Sequence, residues 1–164
     1  RDAQESRGLG DVYKRQIPLR IEKNFDLTLV DSVNKKVNFM NEVIDKLDLS
    51  NARAIHTRAE DFAKENRESF DVVVSRAVAN MATLSELCLP FLKVGGIFIA
   101  LKGPKADEEL KAAQNAIKIL GGQVKKIERF KIDDNDRVNI IVEKIHPTKK
   151  KYPRGKNQAK KNPL

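Results

Sequence analysis

From residue 17 onward, apolar and polar positions alternate in two rhythms, which predicts strands and helices in turn. Residues 25–30 read as a strand whose mostly apolar run, Leu27 to Val30, is stopped by Asp31 and Ser32, a buried strand ending on a carboxylate. Ser32 is placed to cap a helix whose apolar stripe is Val33, Val37, Met40, Ile44 and Leu47. A second strand over 52–56 closes at Arg58-Ala59-Glu60, and one helical turn follows over 62–65. Residues 70–75, with three consecutive valines, predict a central parallel strand buried on both faces and ending at Ser75-Arg76-Ala77. Asn80 caps a helix carrying Met81, Leu84, Leu87, Cys88 and Phe91, with Pro90 near its end. Gly95-Gly96 reads as a turn before a buried strand over 97–101, which ends at Lys102-Gly103. Pro104 opens a helix with Asp107, Glu108 and Glu109 in its first turn, the stripe Leu110, Ala113, Ile117 and Leu120, and Gly121-Gly122 as its stop. Strands over 124–132 and 137–145, joined by a short polar turn at 133–136, must be antiparallel.

This order is an α/β fold: a mainly parallel sheet with helices on both faces, finished by an antiparallel hairpin. A terminal hairpin on such a sheet is the architecture of S-adenosylmethionine-dependent methyltransferases. Dinucleotide dehydrogenases tend to have sheets that are parallel throughout. Residues 18–22 read as the remnant of a helix. Residues 1–16 show no period and few apolar positions, and they read as an extraneous leader or assembly scar set apart from the folded body. Within them Gly8-Leu9-Gly10 lacks the preceding strand and the third glycine of a phosphate loop. The chain thus divides into a leader (1–16), an α/β body (17–146) and a tail (147–164).

Charge sharpens the tail. The net charge is +9, yet no acidic residue follows Glu143, while Lys144, Lys149, Lys150, Lys151, Arg154, Lys156, Lys160 and Lys161 do. The body is close to neutral, so the basic character belongs to the tail. Such a tail suits a polyanion, above all nucleic acid, or else serves as a solvated solubility segment. Pro147, Tyr152, Pro153 and Arg154 add stiff and stacking-capable positions. One cysteine, Cys88, excludes a disulfide framework and fits a reducing cytoplasm. No apolar run approaches the roughly 18 residues of a membrane span.

Four strand ends fall on one edge of the expected sheet: Asp31, Ala59-Glu60, Ser75-Arg76 and Lys102-Gly103. The carboxyl edge of an open parallel sheet is where ligands bind. Asp31 can accept hydrogen bonds from two ribose hydroxyls, or it ends the strand and caps the helix. Glu60 can meet an adenine amine, or it is an ordinary helix-start carboxylate. Arg76 stands where a residue flanks a cofactor's methionine end and the substrate, or it is a surface ion-pair residue. His56 reads as structural and His146 as solvated. No Ser-His-Asp set, metal-ligand spacing or Walker loop is present.

The motifs LTLVDSVNKKVNF (27–39), HTRAEDF (56–62), FDVVVSRAVANMATLSELCLPFLKVGG (70–96), FIALKG (98–103) and KKYPRGKNQAKKNPL (150–164) resemble the bacterial small-subunit ribosomal RNA methyltransferase G family (RsmG, also called GidB). The resemblance implies a Rossmann-like fold and methyl transfer from S-adenosylmethionine to N7 of a guanine in 16S rRNA. It implies cofactor contacts from Ala59, Glu60 and Arg76, with Asp31 near the ribose. It makes RNA the partner of Lys102, Lys150, Lys151, Tyr152, Arg154 and Lys156, in naked 16S rRNA or the small ribosomal subunit. A cytoplasmic monomer with no metal and no membrane partner is expected. Guanine N7 has an in-plane lone pair and no proton to lose, so orientation can supply most of the catalysis and no general base is named.

The family also has a strand and a glycine-rich loop, Asp-Val-Gly-x-Gly-x-Gly-Phe-Pro-Gly, immediately before Ile-Pro-Leu. Here Gln16 precedes Ile17-Pro18-Leu19, and the leader occupies the place of that first strand. The expected sheet is therefore left with two unpaired edges and weakened cofactor binding. Two other readings compete. A nucleotide-dependent oxidoreductase also places an acid after its second strand. A non-catalytic RNA-binding module would work through the tail alone.

Overall fold

The computed structural model describes residues 25–76 and 79–164. The leader and the helical remnant at 18–22 lie outside the described residues. The chain divides into two compact units, with the boundary after Ala59.

The first unit holds β1 (Leu27–Asp31), α1 (Asn34–Lys46) and β2 (Ala52–His56). The strands pair in parallel from Leu27↔Ala52 to Asp31↔His56. Leu29, Leu49 and the helix residues Val37, Met40, Val43 and Ile44 form its core. The expected stripe is displaced at its start: Val33 is exposed, and Val43 is buried instead. Ser32 does not cap the helix. Val33 stays extended (φ −106°, ψ 109°), so the helix begins at Asn34 without a side-chain cap. The adjacent Val33 N–H is taken by the Asp31 carboxylate, at 2.8 Å.

The second unit takes all but the first residue of α2 (Ala59–Glu65), longer than the single turn expected. It continues with β3 (Phe70–Arg76), α3 (Met81–Cys88), a 3-10 turn (Leu89–Phe91) and β4 (Leu92–Lys102). Then come α4 (Ala106–Ile119), β5 (Gly122–Ile132), β6 (Asn135–Lys144) and α5 (Gln158–Lys161). The strands form one sheet in the order β3-β4-β6-β5. Only β3 and β4 are parallel; β6 is antiparallel to both β4 and β5. The hairpin turns on Asp133 and Asp134, both at positive φ (46° and 59°), as a two-residue loop between paired strands requires. Asn80 caps α3 as expected, its side chain accepting the Thr83 N–H at 2.9 Å. Pro104 stands two residues ahead of α4 rather than at its start.

The described strands form a two-stranded parallel sheet and a four-stranded mixed sheet that ends in the expected antiparallel hairpin. One expectation is corrected here: β3 is an edge strand of the four-stranded sheet, not a central one, with Val72 53% and Val74 42% exposed. The register explains this. Val73, Phe98 and Val142 pair across the sheet on the face that joins the core, with Ala100 and Ile140 beside them. Val72 and Val74 pair with Ile97 and Ile99 on the other face, which the core does not cover. The covered face packs against Met81 and Leu84 of α3, against Leu110, Ala113 and Ile117 of α4, and against Tyr152 of the tail.

Gly121 closes α4 at φ +86°, and its carbonyl accepts N–H groups from Ile145 (2.8 Å) and His146 (3.0 Å). A Cβ here would run into the His146 carbonyl. Gly121→Ala is therefore expected to destabilise the second unit by about 1–3 kcal/mol, through both strain and clash. A thermal melt followed by circular dichroism checks this, and an unchanged midpoint would refute the close approach.

Candidate functional site

In the first unit the candidate residue is Asp31, at the carboxyl tip of β1. Its side chain is 28% exposed. One oxygen accepts the Val33 N–H, and the other lies 3.5 Å from the Lys36 ammonium. A carboxylate offers about four lone-pair directions, so acceptor capacity remains for hydroxyl donors. The strand-end role and the ligand role are thus compatible: one bond fixes the rotamer at the helix entrance and leaves the group usable. His56, opposite Asp31 in the register, is exposed, and its Nε2 lies 3.1 Å from the Ser32 carbonyl oxygen. Ala59 is half-buried at the start of α2.

In the second unit Glu60 is buried in the first turn of α2, where a helix favours an anion. Arg76 is the last residue of β3, half-buried, and pairs in register with Leu101 of β4. The tips of these two parallel strands, Arg76 and Lys102, therefore lie side by side, as expected of the carboxyl edge. Lys102 differs from expectation in its engagement. Its side chain is 7% exposed and donates to the Ala79 carbonyl and to Glu109 Oε2, each at 2.7 Å. It holds the segment after β3 against the start of α4 rather than standing open to phosphate.

The tail is likewise not a loose arm. Tyr152 is 5% exposed and belongs to the core of the second unit. Arg154 donates to Glu86, a fully buried carboxylate on α3, from its backbone N–H (2.8 Å), Nε (2.9 Å) and Nη2 (2.6 Å). The Glu86 carboxylate raises the affinity of the guanidinium for its proton. Arg67 donates to the carbonyls of Tyr152, Thr148 (2.8 Å) and Lys149 (3.4 Å). Of the two residues expected at RNA, Tyr152 is buried in the core, and Arg154, its side chain 28% exposed, is held on Glu86. Lys150, Lys151 and Lys156 stay exposed, with Lys151 5.1 Å from the Tyr152 ring centre. Lys144, counted above with the basic tail, is fully buried in β6. No sequence signal pointed to Glu86 or Arg67, because their partners lie 68 to 85 residues away.

Among the described residues, no group of three or more His, Cys, Asp or Glu could hold a metal ion, and no helix is long and apolar enough to cross a membrane.

Residues 16–139 match the family described as GidB, rRNA small subunit methyltransferase G. The chain belongs to that family. Proteins named ribosomal RNA small subunit methyltransferase G share 48% identity with it in Clostridium novyi and 50% in Clostridium perfringens, each over 153 residues and 90% of this chain. The chain spans 63% and 64% of those two relatives, less than two thirds of their length. Among solved structures, TrmN from Thermus thermophilus superposes with a TM-score of 0.59 at 16% identity, covering 73% of this chain and 36% of that one. TYW2 from M. jannaschii, solved in complex with AdoMet, gives 0.59 at 19% identity, covering 77% and 62%. At such identities the likeness establishes the Rossmann-like methyltransferase fold. In this member of the methyltransferase G family, Asp31, Arg76 and Lys102 are the last residues of β1, β3 and β4, and Ala59 and Glu60 open α2.

Proposed function

We propose that the chain carries the S-adenosylmethionine-dependent methyltransferase half-site of its family and acts, as a cytoplasmic monomer, on N7 of a guanine in 16S rRNA or the small ribosomal subunit. The observation that carries this reading is the family match across residues 16–139, which takes in all four strand tips. Asp31 supports it chemically. It is a partly exposed carboxylate with acceptor capacity at a strand tip, which suits a ribose diol. In this reading Asp31 holds the ribose hydroxyls, Ala59 and Glu60 line the adenine end, and Arg76 flanks the methionine end. When bound, S-adenosylmethionine supplies the methyl group as an electrophile. The chain's own task is to orient a guanine whose N7 lone pair needs no deprotonation, and Lys150, Lys151 and Lys156 contact RNA phosphates.

Incubation with methyl-tritiated S-adenosylmethionine and 16S rRNA tests the reading. The assay uses this chain and a version in which a family-type glycine-rich leader replaces residues 1–16. Label entering the RNA with either protein supports transfer, and none with both refutes it. A non-catalytic RNA-binding module would bind RNA in both forms and label neither. Asp31→Ala is expected to weaken cofactor affinity about tenfold to a hundredfold, the loss of one or two hydrogen bonds to a charged acceptor. Calorimetric titration checks this, and an unchanged affinity would remove Asp31 from the site.

A further inference from the structure

The basic tail is pinned along most of its length. Thr148 donates twice: its N–H goes to Glu68 Oε1 at 3.2 Å, and its hydroxyl goes to the Leu120 carbonyl at 2.6 Å. Arg67 clamps three carbonyls between Thr148 and Tyr152. Arg154 is seated on buried Glu86 and also donates to the Asn162 carbonyl at 2.8 Å. The Thr83 hydroxyl of α3 donates to the Ala159 carbonyl at 2.8 Å, and Ala159 itself is buried. Each anchoring side chain belongs to the body of the second unit, except Thr148 and Arg154. What remains outward is Lys149, Lys150, Lys151, Lys156, Lys160 and Lys161, all exposed. None of the six forms an ion pair among the described residues, and no acidic residue lies within the tail to neutralise them.

We propose that Glu86 and Arg67 are positioning residues that hold residues 148–162 as a rigid basic strap, and that its six outward lysines are the surface this chain offers to RNA phosphates. The inference rests on the RNA reading above and changes what the tail is. A free arm must be ordered each time it binds, which weakens the complex, whereas a strap already fixed on the body avoids that loss. The division of labour follows from chemistry. The guanidinium of Arg154 makes a planar fork that suits a buried carboxylate, and the lysines are compact charges that suit phosphate oxygens without fixed geometry.

The test uses the whole 164-residue chain and a fluorescein-labelled RNA hairpin, with binding read by anisotropy across a salt series and amide exchange read on the same samples. In Glu86→Gln the amides of Tyr152, Lys160, Lys161 and Asn162, which are hydrogen-bonded within the tail, are expected to exchange faster while those of β4 and β6 stay protected. RNA affinity is expected to fall about tenfold with an unchanged salt slope, since the same lysines still reach phosphate but must first be ordered. Arg154→Lys, which keeps the charge and loses the fork, is expected to do the same more mildly, and it decides the matter if the Gln variant does not fold. Replacing Lys150 and Lys151 with Gln is expected to leave exchange unchanged and lower the salt slope by about one per lysine. A tail that opens with no loss of affinity overturns the proposal, and so does a tail that stays closed in both latch variants. If the unaltered chain shows no salt-dependent RNA binding, the RNA reading itself falls and the strap proposal with it.

Discussion

Lys144→Ala is expected to destabilise the second unit by about 3 kcal/mol or more, through a cavity and the loss of buried hydrogen bonds together. The Lys144 side chain is fully buried at the end of β6. Its ammonium donates to the carbonyls of Leu89 (2.8 Å) and Leu92 (3.1 Å) and lies 3.4 Å from Glu68 Oε1. It thus ties the last strand to the turn between α3 and β4. Burial pulls the Lys144 amine below its ordinary value of 10.5, with Glu68 opposing that shift. The unfolded chain regains the ordinary value. Between the folded value and 10.5 the unfolded state therefore binds more protons, and stability rises with pH through that window. Below it both states are protonated and the penalty of burying the charge is fully present. Lys144→Met fills the same space without a charge. It is expected to cost less than the Ala variant and to abolish this alkaline slope. Urea midpoints at neutral and alkaline pH measure both effects; a Met variant that keeps the slope would assign it to another group.

Phe98→Ala should cost about 3–5 kcal/mol, the range for deleting a fully buried aromatic side chain. Phe98 sits mid-strand in β4, completely buried, between Val73 of β3 and Val142 of β6 on the covered face of the sheet. Val72→Ala, on the opposite face and 53% exposed, should stay within about 0.5 kcal/mol. The pair reads out which face of the sheet is the core. Comparable shifts in urea midpoint for the two variants would contradict the one-sided burial described above.

What the sequence made legible was local. The α1 stripe, the Asn80 cap, the acidic first turn of α4, Gly121 as its stop and the Asp133-Asp134 hairpin each depend on residues within a few positions of one another. The strand tips were legible for the same reason, since an apolar run ending on a polar residue marks its own end. The misjudged features turn on long-range partners. The three valines of β3 suit a strand covered on both sides, but only the sheet order reveals that β3 has one described neighbour, and only the register reveals which valines face the core. Ser32 was a reasonable cap by type, and one further extended residue put the helix start beyond it. The tail was misjudged most. A run of Lys and Arg looks uniform in sequence, yet Lys144 is internal and Arg154 is half-buried against Glu86, while six lysines are exposed. Charge counted along a chain does not distinguish a cation that meets a buried carboxylate from one that meets water.

The engagement of Tyr152 and Ala159 also sets an order of events during synthesis. All six described strands have been made before Tyr152 is added, and Ala159 follows seven residues later. Until those residues leave the ribosome, the nascent second unit has its sheet-forming segments but an open gap in its core and an uncompensated carboxylate at Glu86. Its folding is therefore completed late, when the basic segment emerges and closes over α3. A nascent chain in this state is vulnerable to stalling or truncation ahead of Tyr152 and Ala159, where the loss removes buried residues rather than surface.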